Sequence, residues 1–169
     1  MNSTKEIGLK FVRGSSLKIF VFTDTDYAAA SYYRRSVSGM AVMLGDTVIG
    51  CKRSTQKCVT AATCEAECAV LCNASKEALF MRKVLALLQP ELTGMRVDIF
   101  SGNEGAKAIA HNPSSASRSK HTDVKLHFIR RLIRAGDLRV LHVGTAEQDV
   151  NALTKPPCEE KSFCCTARL

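Results

Sequence analysis

Two carboxylates occupy positions from which a strand and a helix could present them to the same ligand. Asp24 follows the run from Leu17 to Thr23, whose β-branched and aromatic residues predict a strand. Glu67 lies near the start of the segment from Thr63 to Gln89, whose Ala, Leu, Glu and Lys content predicts a long helix. Carboxylate oxygens are hard ligands that suit Mg²⁺, so a site built on these two residues would be a magnesium site.

The helical pattern selects Glu67 over its neighbour Glu65. Glu65 lies two residues away, about 200° around the helix axis, and so points off the face that carries Glu67. Alternating steps of four and three residues from Glu67 define that face, and its other members are all apolar. They are Leu71, Ala74, Ala78, Met81, Leu85 and Leu88. We therefore predict that Glu67 heads a buried stripe that packs on a sheet.

A second candidate for chemistry is a basic window between Ser117 and Arg139. The chain has a formal net charge of +8, and this window holds seven cations against two carboxylates. Such a surplus favours a polyanionic partner and predicts a phosphate-binding face. The alternative is a helix whose charges only keep it solvated. The seven cations are Arg118, Lys120, Lys125, Arg130, Arg131, Arg134 and Arg139.

The eight cysteines do not form the pattern of a disulfide framework, because no secretory signal follows Met1 and the chain is long enough to bury a core. Cys64, Cys68 and Cys72 recur every four residues, which would align them along the predicted helix. A metal site would need further ligands, and no histidine or fourth cysteine stands at ligand spacing nearby. We interpret the three as small buried thiols.

The elements that must position these residues alternate between strand and helix patterns. The order is strand, strand, strand, helix, strand, helix, helix, strand, helix. After the first strand, a hairpin turns at Gly45 and Asp46, and the long helix follows it. The remaining predictions are strands at Ser38 to Leu44, Thr47 to Cys51, Arg96 to Phe100 and Leu138 to Val143, and helices at Glu104 to His111, Asp123 to Ala135 and near Glu147 to Leu153.

This order predicts an α/β fold in which one sheet edge collects the candidate residues. If the first three strands form a meander, the end of the first strand and the start of the long helix share an edge. Right-handed crossovers then make the fourth and fifth strands parallel to the first, so their carboxyl ends lie at the same edge. Asp24, Glu67, the stretch from Ser101 to Asn103 and the helix with Asn151 should therefore meet there.

Length and composition bound the class of protein. The 169 residues fit one domain with a tail, and 46% hydrophobic and 24% charged residues are typical of a folded globular chain. The longest nearly apolar runs fall far short of the roughly 18 residues that a membrane span needs. With no signal-peptide pattern either, we expect an intracellular protein that contacts no membrane, in the cytoplasm or the nucleus.

Five stretches resemble the ribonuclease H domain that ends the Pol polyprotein of copia-type LTR retrotransposons, and they keep the order and spacing of that family. The resemblance implies a ribonuclease H-like fold: a five-stranded mixed sheet, three antiparallel strands and then two parallel ones, with helices on both faces. It also implies a connection segment at residues 1–16, the domain at 17–157 and an irregular tail at 158–169. The stretches lie at Phe22 to Ala28, Arg34 to Gly45, Ala62 to Leu85, Ser117 to Arg130 and Val143 to Pro156.

The resemblance implies an enzyme that hydrolyses the RNA strand of RNA–DNA hybrids with two Mg²⁺ or Mn²⁺ ions held by four carboxylates. The corresponding positions here are Asp24, Glu67, Gly102 and Asn151, so two carboxylates are absent and only Asp24 and Glu67 remain as metal ligands. We expect weakened metal binding and impaired cleavage. Asp26 and Asp149 are the acids closest in sequence that could substitute, but a turn residue and a helix-start cap are the simpler explanations for them.

The same resemblance implies contacts to an RNA–DNA hybrid or duplex, and a possible reverse transcriptase partner. Arg118, Lys120, His121, Lys125 and Arg130 are the candidate nucleic-acid contacts. Two alternatives to an enzyme stay open, namely a non-catalytic nucleic-acid-binding remnant of a decayed element and a fragment that folds without any role.

Two cysteines also depart from the family's pattern. Cys51 stands where the family usually has tryptophan, and Cys68 where it favours tyrosine. Replacing a ring with a thiol predicts a cavity at each position.

Overall fold

The computed structural model describes residues 11, 13–14, 16–30, 33–57, 59–60, 62–111 and 120–144. Over these ranges the chain forms five strands and three α-helices, joined by short turns and one 3-10 turn at Pro90–Leu92. The elements are β1 (Ile19–Ala30), β2 (Arg35–Leu44), β3 (Thr47–Thr55), α1 (Thr63–Leu88), β4 (Val97–Ser101), α2 (Glu104–His111), α3 (Lys120–Arg134) and β5 (Leu138–His142). The helix predicted near residues 147–153 and the proposed tail lie outside the described residues.

The five strands form one mixed sheet in the order β3-β2-β1-β4-β5. β1 pairs antiparallel with β2, and β2 pairs antiparallel with β3 around the turn at Gly45 and Asp46. β4 is parallel to β1, and β5 is parallel to β4. The predicted topology of three antiparallel strands followed by two parallel ones is confirmed, and β1 lies at the centre of the sheet.

β1 is longer than the sequence pattern predicts, because the polar residues after Thr23 continue the strand. Asp24 pairs with Gly39, and pairing with β2 continues to Asp26 before the register shifts. Ala28 follows with a left-handed φ of 54°. The prediction of a polar turn at residues 24–26 is wrong, because β2 supplies a complete hydrogen-bonding partner that polar side chains do not reveal in the sequence.

The hydrophobic core lies on one face of the sheet, under all three described helices. Ile19 and Val21 of β1 belong to one cluster of buried residues with Leu71 of α1, Ala106 of α2 and Ile129 of α3. α1 buries its residues from Ala66 to Ala78 most fully. The first half of α1 therefore covers the core face of the sheet.

The last turns of α1 leave the core. Met81 and Leu85 are partly buried, as the predicted stripe requires, but Leu88 is 77% exposed. The prediction that Leu88 is a core residue is wrong. A helix of 26 residues is about 39 Å long, which exceeds the short strands β4 and β5 beneath it. Arg82 fixes α1 near this end, because its guanidinium contacts the Asp137 carboxylate at 2.8 Å and the Met95 carbonyl oxygen at 3.2 Å.

The opposite face of the sheet carries rings and a buried ion cluster. Phe22 stacks on Phe100 with ring centroids 5.0 Å apart, and Phe20 lies 6.2 Å from the same ring. Beside them, the carboxylate of Asp98 is buried and accepts from Arg139 at 2.7 and 2.9 Å. The Lys18 ammonium contacts the same carboxylate at 3.1 Å. The buried charge of Asp98 is therefore paired, not left isolated among the rings.

Candidate functional site

Asp24 and Gly102 follow directly on a hydrogen-bonded pair of parallel strands. Thr23 of β1 pairs with Ser101 of β4, and the Thr23 hydroxyl donates to the Phe100 carbonyl oxygen at 3.1 Å. The next residue on one chain is Asp24, which is 7% exposed, and the next on the other is Gly102. Alternation along the strand places Asp24 on the face that carries Phe22. The structure thus brings positions 24 and 102 together, as the topology predicts.

Glu67 lies in the second turn of α1 and is 4% exposed. The start of this helix is attached to the sheet by the side chain of Gln56, which follows β3. Its Nε2 donates to the Ala66 carbonyl oxygen at 2.9 Å and to the Ser38 hydroxyl at 2.8 Å. The residue before Glu67 is therefore held to β2 by a single amide group.

Gln56 also connects the two candidate carboxylates through their neighbours. Ser38 pairs with Thr25, the residue after Asp24, so Gln56 links the helix residue before Glu67 to the strand pair beside Asp24. The sequence analysis missed Gln56, because it stands in a polar stretch with no periodicity. Only the packing of α1 on β2 shows its role as a positioning residue.

Hydrogen bonds of Ser101 and Asn103 hold the segment after β4, and Gly102 between them has no side chain to contribute. The Asn103 side-chain oxygen accepts from the Ala106 backbone N–H at 2.9 Å, which caps the start of α2. The Asn103 N–H in turn points to the Ser101 hydroxyl at 3.3 Å. Gly102 contributes no side chain. The glycines with left-handed backbone among the described residues are Gly14, Gly45, Gly94 and Gly136, so Gly102 uses a conformation open to any residue.

The described carboxylates do not fit a pair of divalent ions. Asp24 and Glu67 supply two negative charges, whereas two such ions carry four positive charges and need six or more ligands each. Within the part of the chain that the structure describes, no group of three His, Cys, Asp or Glu side chains could hold a metal ion. Asn151, the fourth predicted position, lies outside the described residues.

Two of the three α1 cysteines, Cys68 and Cys72, are buried as predicted, whereas Cys64 is half-buried. Burial, with smaller contributions from the nearby Cys64 and Glu67, raises the pKa of the Cys68 thiol to about 12. Burial likewise raises the pKa of Cys72. A raised pKa disfavours the thiolate, which is the form that acts as a nucleophile.

Two further expectations concern cavities at cysteine positions. Cys51 is exposed on β3 and borders an open groove of about 130 Å³ between β2, β3 and α1, also lined by Met40 and Met81. Cys68 is packed in the core at 1% exposure. The thiol at position 51 thus leaves a surface groove and not an internal void.

The predicted basic helix forms as α3. Leu126, Ile129 and Leu132 bury one side of it against the core, so its cations lie on the remaining sides. Lys125 and Arg130 are half-buried, and Arg131 and Arg134 are exposed. Lys120 and His121 belong to its first turn, whereas Arg118 lies outside the described residues.

Comparisons with known proteins give two kinds of match. The chain matches no protein-family model. It is 35% identical over 153 residues to the retrovirus-related Pol polyprotein from transposon RE1 of Arabidopsis thaliana, and 34% identical to that from transposon RE2. Each alignment covers 90% of this chain and 10% of the relative. The chain thus spans about a tenth of the length of the curated relatives that it matches.

Solved structures that match include RNase H proteins and a viral protease-reverse transcriptase. LC11-RNase H1, in complex with an RNA/DNA hybrid, has a TM-score of 0.58 at 14% identity, over 80% of this chain and 93% of that one. The foamy viral protease-reverse transcriptase, also with an RNA/DNA hybrid, has a TM-score of 0.53 at 11% identity, over 97% of this chain and 23% of that one. At these identities the likeness is one of fold.

No described helix is long and apolar enough to cross a membrane.

Proposed function

We propose that this chain, a ribonuclease H-like domain, binds RNA–DNA hybrids but cleaves them poorly. The domain is homologous to one segment of the Pol polyproteins of copia-type retrotransposons. The ancestral reaction is hydrolysis of the RNA strand during reverse transcription. The element that encodes this chain is, in this proposal, a decayed copy whose nuclease site has lost half of its carboxylates.

Gly102 is the observation that carries the proposal. It follows directly on the strand pair that precedes Asp24, at the position where the resemblance expects an aspartate. Glycine offers no side-chain ligand, and the side chain of the next residue, Asn103, caps α2. The second expected loss, Asn151, replaces a charged ligand with a neutral amide oxygen.

The loss of metal affinity follows from the charge at the site. When bound, two Mg²⁺ or Mn²⁺ ions supply the hydroxide and stabilise the leaving oxygen of a phosphodiester. Asp24 and Glu67 are the residues that would hold what metal remains. Losing a metal ion used as a Lewis acid costs several kcal/mol of transition-state stabilisation, and each 1.4 kcal/mol is about tenfold in rate.

Binding is proposed to outlast cleavage because it rests on other residues. Lys125 and Arg130 on α3, with Arg118, Lys120 and His121 just before or at its start, are the proposed phosphate contacts. If about five phosphates are neutralised, the logarithm of the affinity should fall with the logarithm of salt concentration at a slope of roughly −4 to −5. The solved hybrid complexes of proteins with this fold, one of them a reverse transcriptase, favour a hybrid as ligand and a polymerase as partner.

The test compares the natural chain with the variant Gly102→Asp/Asn151→Asp on an RNA–DNA hybrid in Mg²⁺ and in Mn²⁺. We expect the double variant to cleave the RNA strand at least about a hundredfold faster than the natural chain, since several kcal/mol are restored. Adding Asp24→Asn to the double variant is the control, and it should abolish the gained activity.

Each outcome separates the candidate functions. Equal cleavage rates for the natural chain and the double variant would overturn the proposal that cleavage is impaired. Salt-dependent binding by the natural chain without cleavage would support a nucleic-acid-binding remnant, which the basic face of α3 favours. If the natural chain neither binds nor cleaves the hybrid, the remaining candidate is a fragment that folds without any role.

A further inference from the structure

The edge strand β3 carries a second set of cations on the same sheet face as Asp24. Gly39 of β2 pairs with Asp24 on one side and with Arg53 of β3 on the other, so the three residues form one row across the sheet. Alternation is uninterrupted along this part of the three strands, which places Asp24 and Arg53 on the same face. Gly39, between them, contributes no side chain.

Lys57 extends this set towards the end of the sheet. The Gln56 N–H donates to the Ser36 carbonyl oxygen at 2.8 Å, so the β2 and β3 chains stay together one residue beyond the last ladder pair. The next residues on the two chains are Arg35 and Lys57. Arg53 and Lys57 are both exposed, and neither joins an ion pair with another described residue. We call these three cations the β3 basic strip: Arg53 on β3, Lys57 just after β3, and Arg35 at the start of the neighbouring β2.

The distance from the candidate site suits a nucleic-acid backbone. Two strand spacings of about 4.8 Å put the Arg53 backbone roughly 10 Å from that of Asp24, which is about three nucleotides at roughly 3.4 Å of axial rise each. An arginine at that distance would contact phosphates a few nucleotides away from the phosphate that Asp24 faces. α3 lies away from these residues, because it packs on the core face of the sheet near β5, whereas Arg53 lies on the opposite face at the other end of the strand order.

We propose that the β3 basic strip is a second phosphate-binding surface, which holds an RNA–DNA hybrid on the side of the site opposite to α3. This inference rests on the proposed hybrid binding and extends it to residues outside the basic window that the sequence indicates. The competing explanation is that cations on an exposed edge strand only prevent pairing with another sheet.

The test measures the affinity for an RNA–DNA hybrid of fixed length across a series of salt concentrations. The variant Arg53→Gln/Lys57→Gln is compared with Lys76→Gln/Lys83→Gln, which removes the same charge from exposed positions on α1. At low salt we expect the first variant to bind about tenfold or more weakly, with a salt slope shallower by nearly 2, one for each lost phosphate contact. The α1 control should change the slope by much less.

The outcomes distinguish this inference from the proposed function. Equal slopes for the two variants would overturn the inference while hybrid binding itself stands, and so would unchanged affinity with new self-association of the β3 variant. No binding by the natural chain at low salt would overturn both. Thermal unfolding of both variants, expected near that of the natural chain because all four side chains are exposed, excludes a folding defect as the cause.

Discussion

Asp98 shows what a buried charge requires in this protein. It is 2% exposed, and its carboxylate is held by Arg139 and Lys18, both of which reach solvent. We expect Asp98→Asn to lower the free energy of unfolding by about 2 kcal/mol, less than for a fully enclosed pair, because water screens the two cations. Urea unfolding measures this loss. Asp46→Asn at the exposed β2–β3 turn is the control, and a loss as large there would contradict the explanation.

The same contacts give the stability a pH dependence of known sign. Burial alone would raise the pKa of Asp98, but the hydrogen bonds from Arg139 and Lys18 outweigh it and hold the pKa below its ordinary value. A group with a depressed folded pKa stabilises above its unfolded pKa and loses that contribution as pH falls through the folded one. The natural chain should therefore lose stability below about pH 4 more steeply than Asp98→Asn does.

At the level of single residues, the sequence predicted the two carboxylates but not what holds them. Asp24 and Glu67 could be found because strand and helix patterns each point to one edge, and both are buried at that edge. Gln56 could not be found, because an amide that bonds a hydroxyl on β2 and a carbonyl on α1 leaves no periodic signal. Whether positions 24, 67, 102 and 151 act together remains a prediction for the cleavage assay.

Among the elements, α1 combines a buried half and an exposed half in one continuous helix. Leu71 is fully buried, whereas Leu87 is 84% exposed. We expect Leu71→Ala to cost about 3 kcal/mol of unfolding free energy, since it removes methylene groups and leaves a cavity. Leu87→Ala, with the same chemical change and the same helix propensity, should stay within about 0.5 kcal/mol. Similar losses in urea unfolding would mean that the second half of α1 is covered in solution.

Element boundaries were less predictable than element types. The helix from Thr63 was predicted to within a residue of its end, because its composition and the following Pro90 agree with its packing. The end of β1 was predicted seven residues too early, at Thr23 and not Ala30, since the polar residues after Thr23 owe their extended conformation to pairing with β2. The core stripe was extended too far, to Leu88, because periodicity says which face is apolar but not how far the sheet reaches.

Across the whole molecule, the central position of β1 joins the two halves of the chain. β1 pairs with β2 on one side and with β4 on the other, and α1 packs over all three. We therefore expect one cooperative unfolding transition. Far-UV circular dichroism and alkylation of the buried Cys68 should report the same urea midpoint, and Leu71→Ala should shift both equally. Two separate midpoints would show that the halves unfold independently.

The directions of the strands were predictable from element order and handedness. A meander followed by right-handed crossovers makes the fourth and fifth strands parallel to the first, and the sheet has these directions, whereas the lateral order of the strands comes from the structure. The β3 basic strip was not predictable in this way. Arg53 and Lys57 are unremarkable cations in the sequence, and only the row through Gly39 places them beside Asp24.

The division of labour around Gly102 has an evolutionary consequence. Ser101 completes the ladder with β1 and Asn103 caps α2, so no structural duty falls on the residue between them. In the proposed function, folding makes no demand on the side chain at position 102, whereas cleavage needs a carboxylate there. In lineages released from transposition, drift should therefore erase this position early and leave its two flanking residues intact.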